Sequence, residues 1–184
     1  MLYCDLYVLP DSFSTSFDEW NVWYSWYREV GVGEGLFAAR VLHWLLGSAR
    51  EQGIDCACYF QPVNEGAISV LPRSSHLTAI GQVMRLISRH ARGTACGWDA
   101  RPEEVFATKH DDGSLLITAY NDSVESAKTI ELPMPGTPVE LELYTPSGLL
   151  PGSNFIISRP ELEKNAAGYR VCLPALAVMA LRLR

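Results

Sequence analysis

A chain of 184 residues has room for one or two domains. Its 48% hydrophobic and 20% charged residues are ordinary for a globular protein. The net charge of -6 gives no electrostatic basis for a nucleic-acid or anionic-membrane partner. No apolar run reaches the roughly 18 residues of a membrane-spanning helix. The opening MLYCDLYVLP lacks the basic segment and long apolar core of a secretory signal, so a cytoplasmic location is expected. Five cysteines, Cys4, Cys56, Cys58, Cys96 and Cys172, make an odd number. Cys56 and Cys58 are too close for a CxxC zinc or redox pair, and all five read as buried free thiols of a reducing compartment.

In chain order, residues up to about 96 read as alternating strand and helix. Ser14 to Trp20 is a short β-prone run. After a loop marked by Gly31 and Gly33, the apolar positions Leu36, Ala39, Leu42, Leu45, Leu46 and Ala49 recur at intervals of three and four. That spacing predicts a helix over 36–52, stopped at Gly53. IDCACYF, residues 54–60, is a strand-length apolar run that calls for burial on both faces, as in a parallel sheet. Residues 61–72 read as a polar, proline-marked loop. Ser74 or Ser75 is then the expected cap of a second helix with a face of Leu77, Ile80, Val83, Met84 and Ile87. Arg89, His90 and Arg92 suit its C-terminal dipole, and Gly93 suits a left-handed stop.

From about Gly97 the texture changes to short strand-like runs between turns: EVFATKH, SLLITAYN, AKTIELP, VELELYT, NFIIS, YRVCLP and AVMALRL. Alternation is clearest in VELELYT, with Val139, Leu141 and Leu143 set against Glu140 and Glu142. The pair Asp112-Gly113 between two such runs predicts a hairpin. The pattern predicts an antiparallel β-sandwich over 97–184. Two β/α units, by contrast, fall far short of a (β/α)8 barrel, which takes roughly 250 residues.

One stretch stands out: FDEWNVWY, residues 17–24, crowds four rings around two carboxylates. It resembles the strand-7 nucleophile motif of family 51 glycoside hydrolases, the α-L-arabinofuranosidases, within the retaining (β/α)8-barrel clan. The likeness continues in order along the chain. EGLFAARVL (34–42) matches the helix after the motif, and CYFQPVNEGAISV (58–70) matches the last barrel strand. SRHARG (88–93) matches the close of the final helix, and LPALAVMALRL (173–183) resembles the last strand of the family's C-terminal sandwich.

The resemblance implies a fold of α/β plus all-β type. Residues 1–96 would be the last β/α units of a (β/α)8 barrel, with strands 7 and 8, and residues 97–184 a C-terminal β-sandwich. It implies that Glu19 is the nucleophile of a retaining glycosidase, with Trp20, Asn21, Trp23 and Trp26 as substrate-binding residues. Retaining hydrolysis needs a second carboxyl group about 5–5.5 Å from the nucleophile. In the family that acid/base follows an Asn at the end of barrel strand 4, well upstream of the nucleophile. Only 18 residues precede Glu19, so this chain is expected to supply the nucleophile and lack the acid/base. Asn64-Glu65 copies the dipeptide in letters but lies after the last barrel strand, where a loop residue is expected.

The expected partner is thus an arabinose-containing oligo- or polysaccharide. The open strand edges call for self-association or for a partner chain carrying the missing barrel strands. No cofactor is expected. His43 lies within the first predicted helix and reads as packed or exposed. His76, His90 and His110 lack ligand spacing, so no metal is expected. Neither GxGxxG nor GxSxG occurs where its chemistry needs it. Two alternatives stand: a non-catalytic carbohydrate-binding or scaffold protein working through the sandwich, and a small hydrolase pairing Glu19 with Glu65.

Overall fold

The computed structural model describes residues 14–22, 29–63, 66–71, 73–97, 103–133, 136–166 and 168–184. The chain is sheet-rich with two α-helices. Strand β1 (Thr15–Trp20) pairs in parallel with β2 (Ile54–Tyr59), and α1 (Val32–Ser48) connects them. A short antiparallel hairpin follows, β3 (Ile68–Leu71) with β4 (Ser74–Leu77), then α2 (Ala79–Ile87) and a 3₁₀ turn, Ser88–Arg92.

The remaining strands are all antiparallel. They are β5 (Thr94–Cys96), β6 (Val105–Lys109), β7 (Leu115–Asn121), β8 (Lys128–Leu132), β9 (Pro138–Pro146), β10 (Phe155–Ser158), β11 (Glu163–Asn165), β12 (Gly168–Leu173) and β13 (Ala177–Leu183). Six of them form a sheet in the order β10-β9-β13-β7-β6-β5, and three form a second sheet, β11-β12-β8.

Side chains alternate across a strand, and here both faces of the larger sheet are covered. Its inner face, with Val105, Ala107, Ile117, Ala119, Leu141, Met179 and Leu181, shares a core with Ile130, Leu132, Tyr169, Val171 and Leu173 of the three-stranded sheet. Its other face, with Leu116, Tyr120, Tyr144, Val178 and Ala180, packs on Val32, Leu36 and Ala39 of α1 and on Ala79, Val83, Leu86 and Ile87 of α2. The helices therefore sit between the antiparallel sheets and the parallel pair. A third cluster, Trp20, Ala38, Ala67 and Ile80 with Ala57 and Tyr59, joins the parallel pair to the helices' opposite side.

Several boundaries differ from the sequence reading, each for a local reason. Helix α1 begins four residues before Leu36, because the Glu34 carboxylate accepts from the Gly31 N–H at 3.0 Å and closes its first turn. It ends at Ser48. Residues 49–53 then turn back through Gly53, at φ 64°, and Ile54 N–H reaches Ala49 O at 2.8 Å.

The loop expected over 61–72 contains β3, and Ser74 and Ser75 lie in β4, where they pair with Leu71 and Val70. The cap of α2 is instead Thr78. Its hydroxyl oxygen accepts from Gly81 N–H at 3.4 Å and donates to Gly66 O at 2.5 Å. Gly81 lies so close to this loop that an added Cβ would stand 2.0 Å from the Ala67 carbonyl oxygen. Gly93 has φ -115°, an extended conformation, and leads straight into β5 rather than making a left-handed stop. The Asp112-Gly113 hairpin forms as read, with Gly113 at φ 81° and its N–H bonded to His110 O at 2.9 Å. Strand β5, at the end of the first 96 residues, pairs with β6 beyond them.

Strand β2 departs from the expectation of burial on both faces. Ala57 and Tyr59 turn toward the helices, while Cys56 and Cys58 are exposed on the other side. Cys172 is exposed as well, so the thiols are not uniformly buried.

Candidate active site

Glu19 is the penultimate residue of β1, at the C-terminal end of a parallel strand. Its position is set by a break in register. Phe17 pairs with Ala57 and Trp20 with Tyr59, so three steps on β1 match two on β2. Paired residues of a parallel ladder share a face, which places Phe17 and Trp20 on the helix-packed side. The extra residue falls at Asp18–Glu19, and such a bulge re-aims side chains at a strand end. Asp18 accepts from the Ser16 hydroxyl on its own strand. Both carboxylates are exposed.

The residues around Glu19 divide by face. Trp20 is only 6% exposed and sits in the core, with its ring edge-on to Tyr59 at 4.9 Å. Its indole Nε1 is buried and has no hydrogen-bond partner among the described residues. Asn21 bridges the two strand ends: its Oδ1 accepts from Val22 N–H at 2.7 Å and from Tyr59 O–H at 2.9 Å. Burial raises the Tyr59 phenol to about 12, against the opposing pull of the Asn21 bond, so the hydroxyl remains a donor at any ordinary pH. Phe60 N–H donates to Trp20 O at 3.1 Å. The end of β1 is thereby held to the end of β2 by main chain, by the Asn21–Tyr59 bond and by ring packing.

Trp23, Tyr24, Trp26, Asn64 and Glu65 lie outside the described residues. The pairing of Glu19 with Glu65 therefore has no distance attached to it. Two clefts among the described residues lie away from Glu19. One of about 370 Å³ lies between α1, β2 and α2, lined by Leu42, Leu46, Ile54 and Met84. Another, of about 480 Å³, is bordered by Phe37, Arg40, His43, Trp44 and Tyr120. No cluster of three or more His, Cys, Asp or Glu able to hold a metal occurs among the described residues. No described helix is long and apolar enough to cross a membrane.

Sequence reasoning missed a buried polar chain between the helices and the large sheet. His43 Nε2 lies 3.0 Å from Thr118 Oγ1, which lies 2.8 Å from His90 Nε2. His90 Nδ1 is 2.8 Å from Thr108 Oγ1, which is 3.3 Å from His110 Nε2. The only sequence signal was a pair of threonines at sheet positions otherwise filled by apolar residues. The three histidines are far apart in the chain and meet only in the fold.

No family model matches the sequence, and no curated protein matches it closely enough to count as a relative. The fold does have close counterparts. The GH51 arabinofuranosidase from Xanthomonas axonopodis pv. citri superposes with a TM-score of 0.70 at 19% identity, over 91% of this chain and 40% of that one. AbfB, a family 51 α-L-arabinofuranosidase from Bifidobacterium longum, gives 0.70 at 15% identity, over 93% and 42%. The chain has the fold of part of a family 51 arabinofuranosidase.

The same fold extends to a second family, since the catalytic domain of GH30 xylanase C from Talaromyces cellulolyticus gives a TM-score of 0.63 at 17% identity, over 94% of this chain and 41% of that one. The likeness is consistent with the C-terminal part of a family 51-like glycoside hydrolase. This chain spans about two-fifths of the length of these enzymes.

Proposed function

We propose that the chain supplies the nucleophile-bearing end of a retaining, arabinofuranosidase-like glycoside hydrolase. On this reading, residues 1–96 are the last two strands of a (β/α)8 barrel with their helices, and residues 97–184 are the C-terminal β-sandwich. Glu19 attacks the anomeric carbon of a terminal pentofuranosyl group, forming a glycosyl-enzyme ester that water then hydrolyses. The acid/base comes from barrel strands outside these 184 residues. Trp20, Asn21, Trp23 and Trp26 are the proposed substrate-binding residues, and Trp20 and Asn21 also hold the strand end. The substrate is an arabinose-containing oligo- or polysaccharide. A cytoplasmic setting suits the four free thiols among the described residues.

The observation that carries this reading is Glu19 itself. It is an exposed carboxylate at a bulge on the C-terminal end of a parallel strand, in a chain that shares its fold with glycoside hydrolases. The scaffold alternative finds less support. The large exposed hydrophobics on the described antiparallel part, Val124, Val139, Leu149, Leu150 and Ile156, are all aliphatic and offer no aromatic platform for a sugar.

The direct test is turnover of an aryl arabinofuranoside, whose leaving group needs little protonation. The 184-residue chain alone is expected to show none above background. Robust turnover lost on Glu65→Gln would favour the small hydrolase instead. The same reading predicts association. Strands β1 and β2 pair only with each other among the described residues, leaving two open edges and an uncovered face. Light scattering at micromolar concentration should show a species larger than 20.4 kDa. A monomer at all concentrations would contradict it.

A further inference from the structure

The face of the parallel pair that turns away from the helices carries a feature that a retaining glycosidase does not use. Cys56 and Cys58 are two residues apart on β2, so they project from the same face, and their Sγ atoms stand 3.5 Å apart. Both are exposed. Ser16 is the cross-strand partner of Cys56.

Two chemistries compete for such a pair. A disulfide requires the sulfurs to close to about 2.05 Å, with Cα atoms no more than about 6.8 Å apart. At roughly 3.3 Å of rise per residue, alternate Cα atoms of a strand are already about 6.6 Å apart, at the edge of that range. A bridging atom asks for no such closure. Two metal–thiolate bonds of about 2.3 Å at a tetrahedral angle hold their sulfurs about 3.8 Å apart, close to the spacing present.

We propose that Cys56 and Cys58 form a two-thiolate site for a soft, thiophilic centre such as a trivalent organoarsenical or a d¹⁰ metal ion. The site is proposed for the 184-residue chain by itself, in which this face of β2 is exposed. With phenylarsine oxide as the probe, two arsenic–sulfur bonds form. The arsenic-bound oxygen leaves as one water carrying both thiol protons, and no electron is transferred. The hydrogen bond and charge of Cys56, then burial and the Asp18 charge, raise the Cys58 thiol.

The test uses the 184-residue chain under reducing conditions. One equivalent of phenylarsine oxide should protect two of the five thiols from a colorimetric thiol reagent. Intact mass should show a single adduct that has lost one water. The Cys4→Ser, Cys96→Ser, Cys172→Ser triple variant should behave identically. Cys56→Ser and Cys58→Ser should each weaken retention of the adduct against a monothiol competitor by at least about 100-fold, the loss expected when an intramolecular second bond is removed. An adduct equally tight in either single variant, or protection that disappears in the triple variant, would overturn the proposal. Circular dichroism of the variants separates lost binding from lost folding.

Discussion

Replacing Glu19 with alanine should abolish turnover in an assembly that joins this chain to the remaining barrel strands. Added azide or formate should partly restore it. The nucleophile of a retaining glycosidase forms the bond that splits one displacement into two, so its loss removes the covalent path. A small anion entering the vacated space can attack the same carbon and give a product of inverted configuration. The exposure of Glu19 and its place beside a bulge leave room for such an anion. The Asn21–Tyr59 bond and the Trp20 ring, which hold the strand end, are untouched by the change. Full activity in Glu19→Ala would remove Glu19 from the mechanism.

The second large effect concerns stability. His90 is 2% exposed and lies between Thr108 and Thr118, with the Phe106 ring at 5.0 Å. Burial, chiefly, and the nearby His110 and Arg89 lower its pKa to about 4. Arg89 is itself engaged with Glu142 at 2.6 Å, and Glu142 with Arg159 at 2.9 Å, so the charges near His90 belong to a paired set.

In the unfolded chain His90 titrates near 6.5. Between that value and about 4, the unfolded state takes up a proton that the folded state refuses, so stability falls as pH drops through this window and levels off below it. The loss is on the order of 3 kcal/mol. Urea unfolding from pH 7 to pH 4 measures it. His90→Gln should be less stable than the parent at pH 7 and lose less on acidification. Parallel profiles for the two proteins would show that His90 does not set the slope.

Much of the antiparallel region was legible because its signals are local. AVMALRL became β13 residue for residue, and Asp112-Gly113 made the hairpin between β6 and β7. The features that escaped depend on distant partners. Ser74 and Ser75 are good helix caps by type, yet β3 takes them into a hairpin, and Thr78 caps α2 while bonding to Gly66. Strand β2 reads as doubly buried, but only its Ala57 and Tyr59 side meets the helices. The alternation of Glu140 and Glu142 with Val139, Leu141 and Leu143 was local, but their ion pairs with Arg89 of the 3₁₀ turn and with Arg159 were not. At the candidate site, DEWNVW points to Glu19 only by resemblance, and the structure adds its place at a strand end. The bulge beside it follows from β1 meeting β2, a strand far along the chain, which no local pattern encodes.

Covalent trapping tests the central claim most directly. An assembly containing this chain and the remaining strands is incubated with an activated, slowly hydrolysed fluorinated arabinofuranoside, then digested and mapped by mass spectrometry. The expected result is a single glycosyl ester on the peptide carrying Glu19, absent from Glu19→Gln. An ester on another carboxylate, or turnover that inverts the anomeric centre with no adduct, would contradict the account.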